Sequence, residues 1–285
     1  MNAPQKPPMV YNNAHFTVKH YDWDVFAGPS AGEPYVDAAL TDLETGEPVR
    51  LSDFSGKWVV IETGSSTCSM YTKNIPDMKA IQNDHPDVVF LLIYVREAHP
   101  GERLGPHQDF DEKVEAARLV KPRYNEHRRV LVDDVEGSFH KQYGMMPNIL
   151  YVIRPDGTIH YRCNWATADD LRTALEQRDQ LHTYENADVK KLKAARGLYT
   201  TVRTMWTGGF VALYDFVKAS PGMAQRHLKV DKFYRENGAF NKKPGLFSEG
   251  SEAIAEFEAS METHGGHGKA AQPAQAQQQA RQPGE

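Results

Sequence analysis

The chain has 285 residues, 40% of them hydrophobic and 25% charged, a balance that fits a soluble globular protein and excludes an intrinsically disordered one. A formal charge of −5 gives no reason to expect nucleic acid as the main partner, and no stretch approaches the roughly 18 apolar residues of a membrane span. Two cysteines in the whole chain are too few for a disulfide framework, and Met1 to Tyr11 lacks the charged and apolar regions of a secretory signal. The expectation is a reducing, cytoplasmic setting.

Residues 1–34 are rich in Pro, Asn and Gly and read as an arm carrying a few aromatics able to pack on the domain. Ala38 to Leu51 reads as a hairpin turning at Glu44-Thr45-Gly46-Glu47. Trp58–Thr63 is a short apolar run between turn residues, the mark of a strand buried on both faces. The run ends in Gly64-Ser65-Ser66-Thr67-Cys68, and a helix is predicted from there to about Asn83, with Pro76 tolerated only near its first turn. Val88–Val95 is the second buried strand, Asp109–Val120 a helix, and Val130–Val132 a third strand. Ile149–Ile153 and Thr158–Arg162 form a hairpin about Pro155-Asp156-Gly157. Thr167 with Asp170 caps a helix to about Gln180.

The order matches the α/β thioredoxin-like plan, a mixed sheet flanked by helices. In it, Pro147 takes the place of a cis-proline lying against the active thiol. The helical extension at 183–262 is read as two helices, Ala187–Ala219 and Met223–Asn237, separated by Ser220-Pro221-Gly222. Trp206, Phe210, Leu213, Tyr214 and Val217 make an apolar stripe that is expected to pack on the domain or on a second copy. From Thr263 the composition is that of a disordered tail.

Cys68 is the residue on which the chemistry turns. At a strand end and helix start it meets the positive end of the helix dipole and unpaired backbone N–H groups, which favour the nucleophilic thiolate. The plain alternative is a buried structural cysteine. The loop after the second parallel strand reaches the same sheet edge, so Arg96, Glu97 and His99 arrive near the thiol, followed by His107. Histidine suits a proton relay near neutral pH. Two histidines and a thiol on separate loops lack metal-ligand spacing, so no metal is expected. Cys163, the other thiol, sits two strands from the nucleophile, about 10 Å away at ~4.8 Å per strand. A disulfide needs Cα atoms within roughly 7 Å, so Cys163 is read as structural first and as a resolving thiol only with movement.

The segments Gly64–Cys68, Tyr94–Pro100, His107 with Glu112–Arg118, Leu131–Asp134, Tyr143–Ile153 and Gly157–Tyr161 resemble the iodothyronine deiodinase family, over roughly Thr41 to Gln180, within a domain at 35–182. That family removes iodine reductively from aromatic rings with a selenocysteine regenerated by an external thiol. The resemblance implies that Cys68 is the nucleophile, that Ser65 and Thr67 are the hydroxyls beside it, and that Glu97 and His107 are acid and relay. His99, Pro147 and Arg96 would line the substrate. Sulfur stands where the family has selenium. Ser66 stands where many members carry a second cysteine, and Ile149 where an arginine is expected. The reading is a thiol oxidoreductase without a bound cofactor. Its partners would be a haloaromatic or peroxide substrate and a thiol reductant, with a homodimer as a candidate assembly. The alternatives are a one-cysteine, peroxiredoxin-like peroxidase and a redox-inactive binding module.

Overall fold

The structure, a computed structural model, describes residues 11–18, 21, 28–179 and 194–237. The expected start of the first C-terminal helix, the end of the 183–262 extension and the tail from Thr263 lie outside the described residues.

Seven strands form one sheet: β1 (Ala39–Asp42), β2 (Pro48–Arg50), β3 (Trp58–Gly64), β4 (Val88–Tyr94), β5 (Arg129–Val132), β6 (Leu150–Ile153) and β7 (Ile159–Cys163), in the order β2-β1-β5-β4-β3-β6-β7. The centre is parallel, with Trp58–Gly64 paired residue for residue to Val88–Tyr94 and Leu91–Tyr94 to Arg129–Val132. The flanking strands are antiparallel. Both faces of the central strands are covered, which is why they read as unbroken apolar runs. Successive residues then feed opposite cores. Val59, Ile61, Leu91 and Ile93 join one cluster with Phe139 and Tyr151, while Val60, Phe90 and Leu92 join the clusters on the other face.

Helix α1 (Ser69–Asp84) runs straight through Pro76. Tyr71, Ile75, Met78 and Ile81 are buried on either side of the proline, and that packing on both halves holds the helix through a residue whose local preference is to break it. Then come α2 (Phe110–Arg118), α3 (Val120–Tyr124), α4 (Ser138–Tyr143) and α5 (Ala168–Glu176). Thr167 caps α5 by accepting from Asp170 N, the bond its sequence spacing announces.

Two further helices, α6 (Ala194–Gly208) and α7 (Phe210–Asn237), close the described chain. The break expected at Ser220-Pro221-Gly222 falls instead at Gly209. Gly209 has φ +112°, a conformation open to glycine and strained for other residues. Helix α7 continues through Pro221, and Ser220 Oγ donates to the Phe216 carbonyl within it (2.7 Å). The apolar stripe meets the domain only in part: the Arg103 guanidinium lies 4.3 Å from the Trp206 ring centroid and Leu213 is half-buried. Trp206, Phe210, Tyr214 and Val217 are exposed, while Thr204, Met205 and Ala212 turn inward.

The arm is laid on the domain at three places. Tyr11, Phe16 and Tyr21 are buried. Farther on, Gly32 N donates to Ile159 O, Ile159 N to Glu33 O, and Tyr35 N to Gly157 O, at 2.8–2.9 Å, so residues 32–35 cover the outer edge where β7 begins.

Candidate functional site

The thiol stands where the sequence places it. Cys68 is the N-cap of α1, with extended backbone (φ −93°, ψ 104°), and its amide donates to Ser65 O (3.0 Å). The amides of Met70 and Tyr71 at the helix start pull the pKa of the sulfur down, as does the Lys73 ammonium. Burial outweighs them. Cys68 is only 1% exposed, and loss of water, with the Glu62 carboxylate adding to it, pushes the thiol up to about 12. This corrects the expectation of a thiolate-favouring site. The helix terminus is present, but in this closed arrangement desolvation of the charged form wins. Lys73 Nζ donates to Met70 Sδ (3.3 Å), and burial lowers its pKa while the charges of Cys68 and Glu62 oppose that fall.

Glu97 organises the loop beside the thiol. Its Oε2 accepts from Thr67 N (2.9 Å) and Thr67 Oγ1 (2.6 Å). Its Oε1 accepts from the Tyr94 hydroxyl and lies 3.5 Å from His107 Nε2. Burial raises the Glu97 pKa, but the bonds and the His107 contact outweigh it and hold the carboxyl below its ordinary value. Among the described residues, neither ring nitrogen of His107 has a hydrogen bond at normal length. The carboxylate thus sits within a small adjustment of a hydrogen bond to the imidazole.

Both hydroxyls are bonded to the loop that carries Glu97. Thr67 Oγ1 gives its proton to Glu97 and accepts from His99 N (3.0 Å), and Ser65 Oγ accepts from Ala98 N (3.1 Å). Both fasten the 97–99 loop to the Cys68 turn, and the Thr67 proton is committed to Glu97. Ser66, at the place of the missing second cysteine, is tied by its Oγ to Ala116 O (2.8 Å).

Arg96 and His99 are near the thiol loop but occupied. The Arg96 guanidinium donates to Tyr11 O (2.6 Å) and lies about equally close to the Tyr11 and Tyr21 rings, 5.1 and 5.0 Å from their centroids. His99 is packed by Phe16 (4.1 Å between centroids) and Phe216 (5.3 Å, edge-on), and burial brings its pKa down to about 3. Pro147 is buried beside Asn148 and Ile149, but no peptide bond among the described residues is cis. The turn before it is made instead by left-handed Gly144 and Met145 (φ +115° and +60°), whose amides both donate to His140 O.

Cys163 pairs with Leu150 across β6–β7 and belongs to a different core cluster from Cys68. Its sulfur donates to Trp165 O (3.1 Å), and both cysteines are free. Among the described residues no cluster of His, Cys, Asp and Glu could hold a metal ion, and no helix is long and apolar enough to cross a membrane.

Sequence reasoning missed Tyr94, Tyr21, Phe16, Phe216 and Gly208 as neighbours of the site. Tyr94 was legible in principle, since it ends the strand that delivers Glu97 three residues later. The others come from chain ends distant in sequence, and nothing local marks them.

A parallel-centred sheet, a cysteine capping the first crossover helix, and an acid and histidine on the next loop define a thioredoxin-like α/β protein with a candidate nucleophilic thiol. The sequence model of the iodothyronine deiodinase family matches residues 9–179. The chain belongs to that family, which is a family of enzymes. Among curated relatives, the thyroxine 5-deiodinase of Gallus gallus is 24% identical over 198 residues, covering 61% of this chain and 76% of the relative. The type II iodothyronine deiodinase of Fundulus heteroclitus is 32% identical over 93 residues, covering 27% and 35%. The thyroxine 5-deiodinase of Homo sapiens is 30% identical over 139 residues, covering 44% and 45%. Against the latter two the chain thus spans under half of the relative. Solved structures of similar trace include a secreted disulfide oxidoreductase of Mycobacterium tuberculosis homologous to DsbE, at TM-score 0.39 and 20% identity over 49% of this chain and 94% of that one. A hypothetical protein of Sinorhizobium meliloti has TM-score 0.45 and 16% identity over 57% and 92%. These two likenesses carry no weight for the chemistry.

Proposed function

We propose that the protein is a thiol-dependent reductive dehalogenase in which Cys68 is the nucleophile. The thiolate takes iodine from an aromatic carbon: the C–I bond breaks, an S–I bond forms, and the carbon keeps the electron pair and accepts a proton. An external thiol then displaces iodide from sulfur, leaving a mixed disulfide, and a second thiol releases Cys68 as the thiol and departs as an oxidised disulfide. The two thiols supply the two electrons that the substrate gains.

The observation that carries this reading is the cluster on one sheet edge. Cys68 caps α1, and Glu97 bonds the adjacent Thr67 while standing 3.5 Å from His107 Nε2. Histidine is the group able to deliver the proton to carbon near neutral pH, and the carboxylate beside it orients the ring. Ser65 and Thr67 act by holding the loop in place. Arg96, His99 and Pro147 are assigned to the substrate side, and Cys163 stays out of the cycle because it belongs to another core. The test is iodide release from an iodophenol with dithiothreitol as reductant, using wild type and Cys68→Ser. Release should be saturable in wild type and absent in the variant. Equal release from both proteins would refute the assignment.

A further inference from the structure

Cys68 cannot react where it lies, because water and reagent do not reach a sulfur that is 1% exposed. Two pieces of chain remote in sequence converge on the loop beside it. From the N-terminal arm, the Phe16 ring lies tilted against His99, and the Tyr21 hydroxyl donates to Ala98 O (3.2 Å). The negative charge of a Cys68 thiolate reaches Tyr21. From the C-terminal side, the α6–α7 elbow is pressed on the same loop. A Cβ at Gly208 would stand 2.8 Å from His99 O and 3.1 Å from Thr67 Cγ2, and one at Gly101 would stand 2.4 Å from Gly208 O. Phe216 then closes on the other edge of His99. The two pieces are also latched to each other by His15 Nδ1 and Asp215 Oδ2 at 2.9 Å, and Val18 lies close enough to Gly222 that a Cβ added there would stand 3.8 Å from its Cγ2.

The polar half of that latch is a weak tie. The His15 side chain is 66% exposed, and an exposed ion pair of this kind contributes little. The elbow bends at a glycine pair, the sort of position able to absorb a change of φ and ψ. The joint between α6 and the domain is polar in part, through the Thr204–Thr72 hydroxyl pair (2.9 Å) and the Tyr124–Thr207 pair (2.7 Å).

We propose that residues 11–18 with Tyr21, and the α6–α7 elbow, form a two-piece cover that gates the Cys68 thiol, with Phe16 and Phe216 clamped on His99 as its catch. Closed, the cover keeps the sulfur dry and protonated. Open, it returns water to the sulfur, leaves the helix amides and Lys73 to favour thiolate, and frees the His99 ring. This inference rests on reading Cys68 as the nucleophile, but its test needs no substrate.

Full-length protein is labelled with a maleimide, and the rates at Cys68 and Cys163 are followed separately by mass spectrometry. Cys163, buried in another core cluster, is the internal control. In wild type, the Cys68 rate should level off as reagent concentration rises, because opening limits it. The Phe16→Ala/Phe216→Ala variant should speed Cys68 labelling at least about ten-fold with Cys163 unchanged. His15→Ala, an exposed change that leaves the core intact, should move Cys68 in the same direction by a smaller factor. Hydrogen exchange over 96–103 should rise together with that over 205–212. Wild-type labelling as fast as a free thiol, an unchanged rate in both variants, or equal acceleration of both cysteines would each overturn the proposal. Gated labelling without iodide release would leave the cover standing and remove only the dehalogenase reading.

Discussion

At the scale of single residues, the thiol is governed by a contest between fixed dipoles and dryness. The amides of Met70 and Tyr71 and the Lys73 ammonium lower the Cys68 pKa, and burial raises it beyond what they achieve. Replacing Lys73 with Met should therefore slow Cys68 labelling further while leaving the Cys163 rate alone, a comparison made by alkylation across pH 6 to 10. His107 and His99 divide in a different way. His107 faces Glu97 across 3.5 Å, so His107→Ala should lower turnover by roughly the 10²–10⁴-fold of a lost general acid–base and flatten the pH profile. His99 is held neutral by its surroundings, with a pKa of about 3, and His99→Ala should raise KM more than it lowers kcat. A His99 variant with the flatter profile would reverse the two roles. Cys68, Glu97 and His107 were legible in the sequence because each follows a strand that ends on the same edge. The direction of the Cys68 pKa was not, since it is set by burial, and burial depends on how segments distant in sequence pack around the thiol loop.

Among elements, the close approach of β3 to α1 sets the thiol's position. Gly64 ends β3 directly beneath the Tyr71 ring, and a Cβ there would lie 2.5 Å from Tyr71 Cγ. Gly64→Ala must push α1 away from the sheet, so it should destabilise the fold by about 1–3 kcal/mol, typical of overpacking, in urea titration. Cys68 should become easier to label as its helix start shifts. A variant with wild-type stability and labelling would show that α1 is more compliant than its packing implies. The strands were readable because both faces of the central sheet are covered and β-branched runs stand out. The elbow at Gly209 was misplaced because a proline at 221 looks like a break when read locally, whereas the real break needs a positive φ that only tertiary contact demands. Helix α4 was missed altogether. It is six residues between left-handed Gly137 and Gly144, too short for a periodic pattern to register.

On the scale of the whole molecule, one guanidinium binds two buried carboxylates beneath the site. Arg128 donates to Glu62 Oε2 (2.6 Å) and to Glu126 Oε1 and Oε2 (2.9 and 2.7 Å), and Tyr71 donates to Glu126 Oε2 (2.8 Å). Arg128 and these bonds hold the Glu126 pKa down to about 2. A depressed carboxylate contributes stability above its unfolded pKa of about 4.3 and loses it as pH falls toward the folded value. Stability should therefore decline between about pH 4.3 and 2. Arg128→Ala should cost about 3–5 kcal/mol at neutral pH, and the gap to wild type should narrow through that acid window. Chemical denaturation at a series of pH values measures both, and a gap that widens in acid would contradict the network's role. Substrate choice belongs to this scale as well, since it depends on what the sheet edge offers. Ile149 is buried at the start of β6, so a carboxylate placed there would go unpaired, which is costly. Thyroxine should turn over more slowly than its decarboxylated analogue or a simple iodophenol, in an assay series that also includes hydrogen peroxide. Efficient, saturable preference for thyroxine would refute that expectation.

The bonds of residues 32–35 along β7 bear on how the molecule behaves in a crowded solution. The outermost strand of an open sheet offers free amides and carbonyls to any other extended chain, and edge-to-edge growth begins there. Here Gly32, Glu33 and Tyr35 already engage Ile159 and Gly157, and Pro34, between them, has no N–H with which to pass the ladder on. The stub is thus a terminator: it occupies the edge without continuing it. A protein shortened to begin at Asp37 would keep every strand of its sheet and lose this guard, so it should form aggregates that the intact chain does not, detectable by light scattering at equal concentration. If the shortened chain stayed as dispersed as the full one, the edge would owe its quietness to something other than these four residues.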